Sequence, residues 1–237
     1  MSAYGAITRS TKPQEVLPTT LWKSAKGYVT THHLTLASAS ALPGLLPFLH
    51  SCFAEELERG MTYPQEILQG ETYTQHMFEA YYFAADVIVA VVGQDVNAVG
   101  EKINGEVVSG LDIEAARNGR SWQECIAGCY YIKPNYPGRS SHICNAGFLV
   151  PVAQRAQGYG SLLARSYLYY APRLGYEASV FNLVYVNNVA SVRLWEGLGF
   201  TIAGRIPRAG RLRTADGSGE EYVDAWVFYK RFDPVEQ

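Results

Sequence analysis

The chain has 237 residues, of which 48% are hydrophobic and 18% are charged, and its formal net charge is −2. This length accommodates one large domain with a sizeable core, and the composition is typical of a globular protein in aqueous solution. Because there is no excess of basic residues, nucleic acid is not an expected partner, and the apolar runs are too short to span a bilayer.

The first 25 residues predict an irregular arm, because they are polar and contain Pro13 and Pro18. Residues 26–237 predict a single domain. Over its first fourteen residues the arm carries Arg9 and Lys12 but no acid, which is compatible with a mitochondrial transit segment. We expect a disordered N-terminus and a cytoplasmic protein, with a mitochondrial location as the alternative.

The next part of the chain predicts a strand, two helices and a buried strand. Alternating β-branched residues predict the first strand over residues 27–37, where one of His32 and His33 faces the core and the other faces solvent. Helical spacing and then an unbroken apolar run predict the other three elements: residues 44–60, 71–85 and 86–93. The helix over residues 44–60 places three glutamates on its solvent side: Glu55, Glu56 and Glu58.

The C-terminal half predicts alternating strands and helices. Polar residues 95–119 predict a long loop with a short helix near Glu114, and the PNYPGR turn predicts a β-hairpin after it. The predicted elements that follow the loop are strands 125–134 and 141–150, helix 158–175, strand 178–186, helix 189–198 and strands 200–205 and 222–230. A loop is predicted over residues 208–221. One mixed α/β domain accounts for this order.

The four cysteines show no pattern of a metal site: Cys52, Cys125, Cys129 and Cys144. They form no CxxC pair and have no histidine at the spacing of a zinc ligand. We therefore expect free thiols buried in a reducing compartment, and no bound metal.

The segment R-x-x-G-x-G, from Arg155 to Gly160, follows a predicted strand and opens a predicted helix. Glycine lets a ligand approach the main chain, and the free N–H groups of a first helical turn favour an anion such as a phosphate. The Lys-Ser/Thr of a P-loop is absent, and Leu163 occupies the third glycine position of the dinucleotide pattern. A strand-to-helix turn that binds no ligand is the alternative interpretation.

The surrounding elements resemble the GNAT superfamily of acetyl-coenzyme A-dependent N-acetyltransferases. The R-x-x-G-x-G segment is followed by a helix, a strand and the pattern N-x-x-S-x-x-x-W-E-x-x-G-F from Asn188 to Phe200. Four segments are similar to the fungal proline-analogue (L-azetidine-2-carboxylate) N-acetyltransferases: TYPQ, YIKPNY, CNAGFLV and FNLVYVNN. The resemblance implies an α/β GNAT fold, with a mixed, mostly antiparallel sheet that is splayed in the middle and flanked by helices.

The resemblance also implies acetyl-coenzyme A as the cosubstrate. Its phosphates would contact the main chain from Arg155 to Gly160, and its acetyl carbonyl would contact the main chain around Phe148. A bulge at Gly147 would help this contact, and relief of packing beside Phe148 is the alternative. The implied cofactor-binding residues are Phe148, Val150, Arg155, Ala156, Gln157, Gly158, Tyr159, Gly160 and Asn188.

The leaving thiolate needs a different partner from the one that many superfamily members use. Trp195 stands where those members have a tyrosine that acts as general acid. An indole N–H donates a hydrogen bond but does not release its proton at any useful pH, so Trp195 cannot replace the tyrosine. The closer resemblance implies Asn188 as the catalytic residue, with its amide donating to the sulfur; an acidic proton from another tyrosine remains an alternative.

The closer resemblance assigns the substrate carboxylate to the side chain of Asn145 and to the main-chain N–H groups at Asn182 and Leu183. Neutral donors suit a partly buried anion, because they bring no charge that must be desolvated. The alternatives are local backbone bonds for Asn145 and a buried structural amide for Asn182. No general base is evident, since His142 is typical of a packed or surface histidine.

The predicted function is direct acetyl transfer, in a ternary complex, to small cyclic imino acids such as azetidine-2-carboxylate or pyrroline-5-carboxylate. We expect a homodimer that binds neither nucleic acid nor membrane. The alternatives are a GNAT enzyme for another amine, such as a polyamine or a protein lysine, and a coenzyme A-binding module with weak catalysis.

Overall fold

The computed structural model describes residues 15–93 and 104–234. Its strands are β1 (Thr20–Ser24), β2 (Gly27–Leu34), β3 (Asp86–Val92), β4 (Asn104–Val107), β5 (Ile126–Pro134), β6 (Ile143–Leu149), β7 (Ala178–Tyr185), β8 (Thr201–Arg213) and β9 (Glu220–Arg231). Within the described residues these nine strands form one sheet in the order β4-β1-β2-β3-β5-β6-β7-β9-β8. Neighbouring strands are antiparallel, except that β6 and β7 are parallel.

The helices cover both faces of this sheet. They are α1 (Leu36–Ser40), α2 (Leu45–Arg59), α3 (Gln75–Tyr82), α4 (Ile113–Arg117), α5 (Trp122–Cys125), α6 (Tyr159–Arg173) and α7 (Val189–Gly197). Helix α2 begins after Gly44 and ends at Gly60, whose φ angles of 81° and 63° lie in the left-handed region that glycine adopts without strain. The predicted end of this helix at Gly60 is therefore confirmed.

Alternation along the central strand β5 divides the core into two layers. Tyr130 and Ile132 pack with α6 and α7 on one face. Cys129 and Tyr131 point to the other face and pack with α2, α3 and α5. Successive side chains of a strand point to opposite faces, so a strand buried on both faces carries apolar residues at almost every position. The predicted α/β class is confirmed.

The sheet opens between β6 and β7. These strands pair in parallel at Ile143 with Ala178 and at Cys144 with Ser179. Beyond those two rungs, β6 continues along β5 and β7 continues along β9. The main chains of β6 and β7 therefore border a gap in the middle of the sheet, as predicted.

The predicted bulge at Gly147 is wrong. β6 stays in register with β5 through Gly147, which lies opposite Tyr131. A Cβ atom at Gly147 would lie 2.5 Å from Cε1 of the Tyr131 ring, so this glycine is required by packing. The irregularity is instead in β7, whose register with β9 shifts between Phe181 and Val184.

Of the two edge strands of the sheet, β4 was predicted as a loop and β8 only as the shorter strand 200–205. β4 lies within the predicted loop 95–119, although α4 confirms the short helix near Glu114; residues 95–103 lie outside the described residues. The predicted loop 208–221 contains the end of β8 and the start of β9. Most residues of β4 and β8 are exposed, so these strands have no apolar alternation to reveal them.

The N-terminal prediction also needs correction. Thr20–Ser24 forms β1, which pairs with β2 and β4, so the arm is not irregular over these residues. Residues 1–14, which carry the predicted transit segment, lie outside the described residues. The division into an arm and a single domain from residue 26 remains a prediction. No helix in the described ranges is long and apolar enough to cross a membrane.

His32 and His33 are both buried, with 3% and 4% of their surfaces exposed, so the prediction of one outward-facing histidine is wrong. His33 accepts at Nδ1 from the Leu17 N–H, and its Nε2 lies 2.9 Å from Asp86 Oδ1. His32 lies within hydrogen-bond distance of the Thr19 and Thr30 hydroxyls. Both faces of β2 are covered by other parts of the protein, which explains why two adjacent side chains are buried.

All four cysteines are free thiols. Cys125, Cys129 and Cys144 are buried, and Cys52 is half-buried. Within residues 15–93 and 104–234, no three histidine, cysteine or acidic side chains are grouped as a metal site would require.

Candidate active site

A cleft of about 630 Å³ lies where β6 and β7 separate. Apart from Gln157, every residue that the sequence predicted for the site lines this cleft: Asn145, Phe148, Val150, Arg155, Ala156, Gly158, Tyr159, Gly160, Asn182, Leu183 and Asn188. The amide of Gln157 instead donates to Ala153 O and to Gln154 Oε1, both at 3.2 Å. The fold thus brings two stretches of the chain, residues 145–160 and 182–188, to one place.

The first turn of α6 faces the cleft with an open N-terminus. Gly158 caps the helix with φ 81° and offers no side chain, and the first N–H to bond back along the helix is that of Leu162. The N–H groups before Leu162 have no partner within the helix, which favours an anion there. A Cβ at Gly160 would meet no atom within 4 Å, so packing does not require this glycine. A glycine at this position leaves room for a ligand close to the main chain, which is a physical reason for Gly160.

The side chain of Arg155 is turned away from this loop. Its Nη2 donates to the Glu56 carboxylate, and its Nε donates to Val150 O at 3.3 Å. Arg155 therefore offers only its main chain to a phosphate, and its guanidinium ties the loop to α2. Glu56 is 6% exposed and also accepts from the Thr62 hydroxyl at 2.6 Å, so its predicted position on the solvent side is wrong. A sequence has no signal for a partner 99 residues away.

Two tyrosine hydroxyls hold the main chain of β6. Tyr63, from the TYPQ segment, donates to Phe148 O at 2.9 Å. Tyr82 of α3 donates to Gly147 O at 3.0 Å. These bonds fix the strand at the point where the acetyl carbonyl is predicted to bind. Neither tyrosine was a predicted site residue.

Asn188 lies at the start of α7, where its Oδ1 accepts from the Ser191 N–H at 3.2 Å. The oxygen caps the helix, so the amide nitrogen is left as a donor beside the cleft. The Trp195 indole N–H donates to Ser191 Oγ at 3.1 Å, and its ring packs 4.4 Å from Phe181 and 5.2 Å from Phe148, centroid to centroid. Trp195 is thus a buried core residue of α7.

Tyr185 is the tyrosine of the cleft that best fits the alternative of a separate acid. Its hydroxyl is buried and has no hydrogen-bond partner among the described residues. Burial raises the pKa of Tyr185, so the hydroxyl keeps its proton at neutral pH. By comparison, the Tyr63 hydroxyl is engaged with Phe148, and those of Tyr81 and Tyr131 lie 3.0 Å apart.

Three asparagines form a network at the other end of the cleft. Asn135 Oδ1 accepts from Asn145 Nδ2 at 2.7 Å and from Asn182 Nδ2 at 2.6 Å. Asn135 Nδ2 donates to Asn182 Oδ1 at 3.1 Å, whereas Asn145 Oδ1 is buried without a partner. Asn182 is exposed, so its alternative as a buried amide is wrong. Asn135 was not predicted, although it lies in the YIKPNY segment.

A lysine lies behind two tyrosines of the cleft wall. The Lys133 ammonium lies 3.8 Å from the ring centroid of Tyr81 and 4.2 Å from that of Tyr131. It also donates to Tyr81 O at 3.1 Å. Burial lowers the pKa of Lys133 to about 8, which places a weakly held proton near the cleft. His142 is exposed, and no histidine of the described residues lines the cleft.

Comparisons with known proteins identify the family. The model of the acetyltransferase (GNAT) family matches residues 104–200. N-acetyltransferase aca1 of Schizosaccharomyces pombe is 41% identical over 181 residues, which make up 76% of this chain and 77% of that protein.

Two solved structures share the fold. A GCN5-related N-acetyltransferase from Kribbella flavida matches with a TM-score of 0.58 at 24% identity, over 86% of this chain and 98% of that one. The structure of yncA from Salmonella typhimurium, which contains acetyl-coenzyme A, matches with a TM-score of 0.57 at 16% identity, over 88% of this chain and 96% of that one. The sequence relative, the family match and the splayed sheet agree, and the chain belongs to the GNAT family of N-acetyltransferases.

Proposed function

We propose that this enzyme transfers the acetyl group of acetyl-coenzyme A to the ring nitrogen of a small cyclic imino acid, such as azetidine-2-carboxylate. The observation that carries the proposal is the amide-lined end of the cleft, where Asn145 and Asn182 meet the main chain of β7. The resemblance of the CNAGFLV and FNLVYVNN segments to the proline-analogue acetyltransferases supports the same substrate class.

Acetyl-coenzyme A fits the opposite end of the cleft. The open N-terminus of α6 provides main-chain donors for its phosphates from residue 155 to residue 160. The bound acetyl-coenzyme A of yncA, which shares the fold, supports this choice. The acetyl carbonyl would then lie against the main chain near Phe148, in the gap between β6 and β7.

The chemistry is a direct transfer within a ternary complex. The neutral nitrogen attacks the thioester carbon, the new C–N bond forms, and the C–S bond breaks as the thiolate leaves. Binding places both reactants in line, which lowers the barrier without any covalent intermediate on the protein. Asn188 Nδ2 stabilises the departing sulfur. The substrate binds with its nitrogen neutral, and the N–H proton that the nitrogen loses after the attack passes through solvent to the thiolate, so that coenzyme A leaves as the free thiol.

The charge of the cleft argues against a polyamine. A polycation would need unpaired carboxylates, and Glu56 is the one acidic side chain among the described residues that line the cleft. Arg155 and Thr62 already engage Glu56. Neutral amides instead suit a small anion, because they donate without an opposing charge.

Thiol release with different acceptors tests the proposal. Purified protein receives acetyl-coenzyme A with azetidine-2-carboxylate, with spermidine, or with a lysine peptide, and free thiol is measured. We expect release with the imino acid. Release with spermidine or the peptide alone would contradict the proposed substrate, and tight coenzyme binding without release would favour the binding module.

We also propose a homodimer, which light scattering of the purified protein would detect as twice the 26.2 kDa of the chain.

A further inference from the structure

We propose that Asn135 is a positioning residue that sets which atom of the Asn145 amide faces the substrate. This inference rests on the proposed imino-acid substrate. Asn135 connects Asn145 of β6 to Asn182 of β7 across the gap of the sheet. It is the one residue of this network that does not line the cleft.

The observed arrangement offers the wrong atom to a carboxylate. Asn145 Nδ2 is directed to Asn135 Oδ1, so the atom left without a partner is the acceptor Asn145 Oδ1. A carboxylate has only acceptors and needs a donor. A buried amide oxygen facing a carboxylate would be repelled and unsatisfied, so the amide of Asn145 must rotate before it can bind the substrate.

The network allows this rotation without losing a hydrogen bond. If the three amides rotate together by about half a turn, Asn135 Nδ2 donates to Asn145 Oδ1 and to Asn182 Oδ1, and Asn182 Nδ2 donates to Asn135 Oδ1. Each arrangement contains the same three contacts between the same residues. The two arrangements are therefore close in energy within the network, and the ligand decides between them.

Substrate binding selects the second arrangement. There, Asn145 Nδ2 points into the cleft and makes a charge-assisted hydrogen bond to the carboxylate. Asn135 makes this selection work because it can act as donor or acceptor toward Asn145. A side chain at position 135 that only accepts would hold Asn145 Nδ2 and keep its oxygen toward the substrate.

Asn135→Asp provides the test, because a carboxylate has the shape of the amide but only accepts. At pH 7.5 we expect the KM for azetidine-2-carboxylate to rise by roughly tenfold or more, the loss of one hydrogen bond to a charged group. The KM for acetyl-coenzyme A should change less than about twofold, since the phosphate loop is not involved. As the pH is lowered toward the pKa of the new carboxyl, ordinarily about 4, a growing fraction of the variant can donate again, and the ratio of variant to wild-type KM should fall.

Asn135→Ala distinguishes a positioning role of Asn135 from a purely structural role. Alanine frees Asn145 to rotate, so the KM for the imino acid should rise less than in Asn135→Asp and without the pH dependence. A supporting role predicts the reverse order, because alanine removes more of the packing. Asn104→Asp adds the same charge on β4, at the far edge of the sheet, and should leave both KM values unchanged.

The outcomes separate this inference from the proposed function. If the wild-type protein acetylates no imino acid, the proposed function fails and the inference fails with it. If the wild type is active and Asn135→Asp leaves the imino-acid KM unchanged, or raises both KM values equally at every pH, the positioning role alone is overturned. Thermal unfolding of each variant shows whether a loss of activity follows from misfolding. If Asn135→Asp does not fold, the imino-acid KM of Asn135→Ala decides: an increase of less than about tenfold supports the positioning role, and a larger increase contradicts it.

Discussion

Asn188 uses the two ends of one amide for two purposes. Its oxygen caps α7 through the Ser191 N–H, and its nitrogen remains a donor beside the cleft. Because Trp195 cannot act as an acid and its indole is already bonded to Ser191, the donor at residue 188 is the proposed partner of the leaving thiolate. A capping position thus coincides with a proposed catalytic position.

We predict that Asn188→Ala lowers kcat by roughly tenfold to a hundredfold and changes the KM values far less, because the donor acts on charge that develops in the transition state. It should also lower stability by about 1 kcal/mol through the lost cap. Asn188→Asp retains a capping oxygen and removes the donor, so it should lose kcat while keeping the melting temperature. A normal kcat in Asn188→Asp, or a larger loss in Tyr185→Phe, would transfer the role to Tyr185.

The sequence was informative at residues whose function depends on the local chain. The R-x-x-G-x-G segment and the asparagine before α7 could be located because a helix start depends on a few consecutive residues. Glu56, Tyr63 and Asn135 were missed because their partners lie across the fold. The Tyr63–Phe148 bond, for example, joins residues 85 positions apart, and periodicity contains no information on such a pairing.

At the scale of elements, the start of α6 is shaped by two glycines with different causes. Gly158 has a positive φ, a main-chain conformation that glycine adopts without strain. Gly160 has neither a positive φ nor an atom within 4 Å of its absent Cβ, so the protein itself does not require it.

Gly160→Ala should therefore leave the folded state intact and weaken the binding of acetyl-coenzyme A. We expect an unchanged or higher melting temperature, since alanine favours a helix over glycine, and a rise of roughly tenfold in the KM for acetyl-coenzyme A. Gly219→Ala is the matched control, because its Cβ would also meet no atom within 4 Å, away from the cleft. Equal KM values in the two variants would show that ligand approach does not require Gly160.

The long helices and the buried strand β3 were predicted well, whereas β1, β4 and the second half of β8 were not. α2, α6 and β3 agree with the sequence patterns within a few residues, because burial imposes a periodic apolar face. β4 and β8 have solvent on most of their residues, and their strand character comes from pairing with β1 and β9. Pairing of this kind is a property of the folded sheet rather than of the segment.

At the scale of the whole molecule, a buried histidine makes stability depend on pH. Burial lowers the pKa of His32 to about 4 from its ordinary 6.5, and the charge of Asp112 opposes this shift. Between these pH values the unfolded chain binds a proton that the folded chain does not. The free energy of unfolding therefore falls as the pH falls from about 6.5 to about 4.

We predict that this one group accounts for a loss of up to about 3 kcal/mol over that range. Urea unfolding of the wild type and of His32→Gln between pH 4 and pH 8 measures it, and the variant should show a flatter dependence. His76→Gln removes an exposed histidine and should follow the wild type. Parallel curves for the wild type and His32→Gln would contradict the prediction.

The gap between β6 and β7 also affects how this enzyme responds to mutation. The contacts that we propose for the acetyl group, the phosphates and part of the carboxylate come from main-chain N–H groups. Replacement of a side chain leaves such a donor in place, and among the natural amino acids proline alone removes it. In an alanine scan, activity would therefore fall at the asparagines and at the residues that hold the strands apart. Substitutions along much of the remaining ligand-binding surface would leave activity unchanged. Side chains of these strands that do not pack in the core can therefore change without removing a main-chain donor.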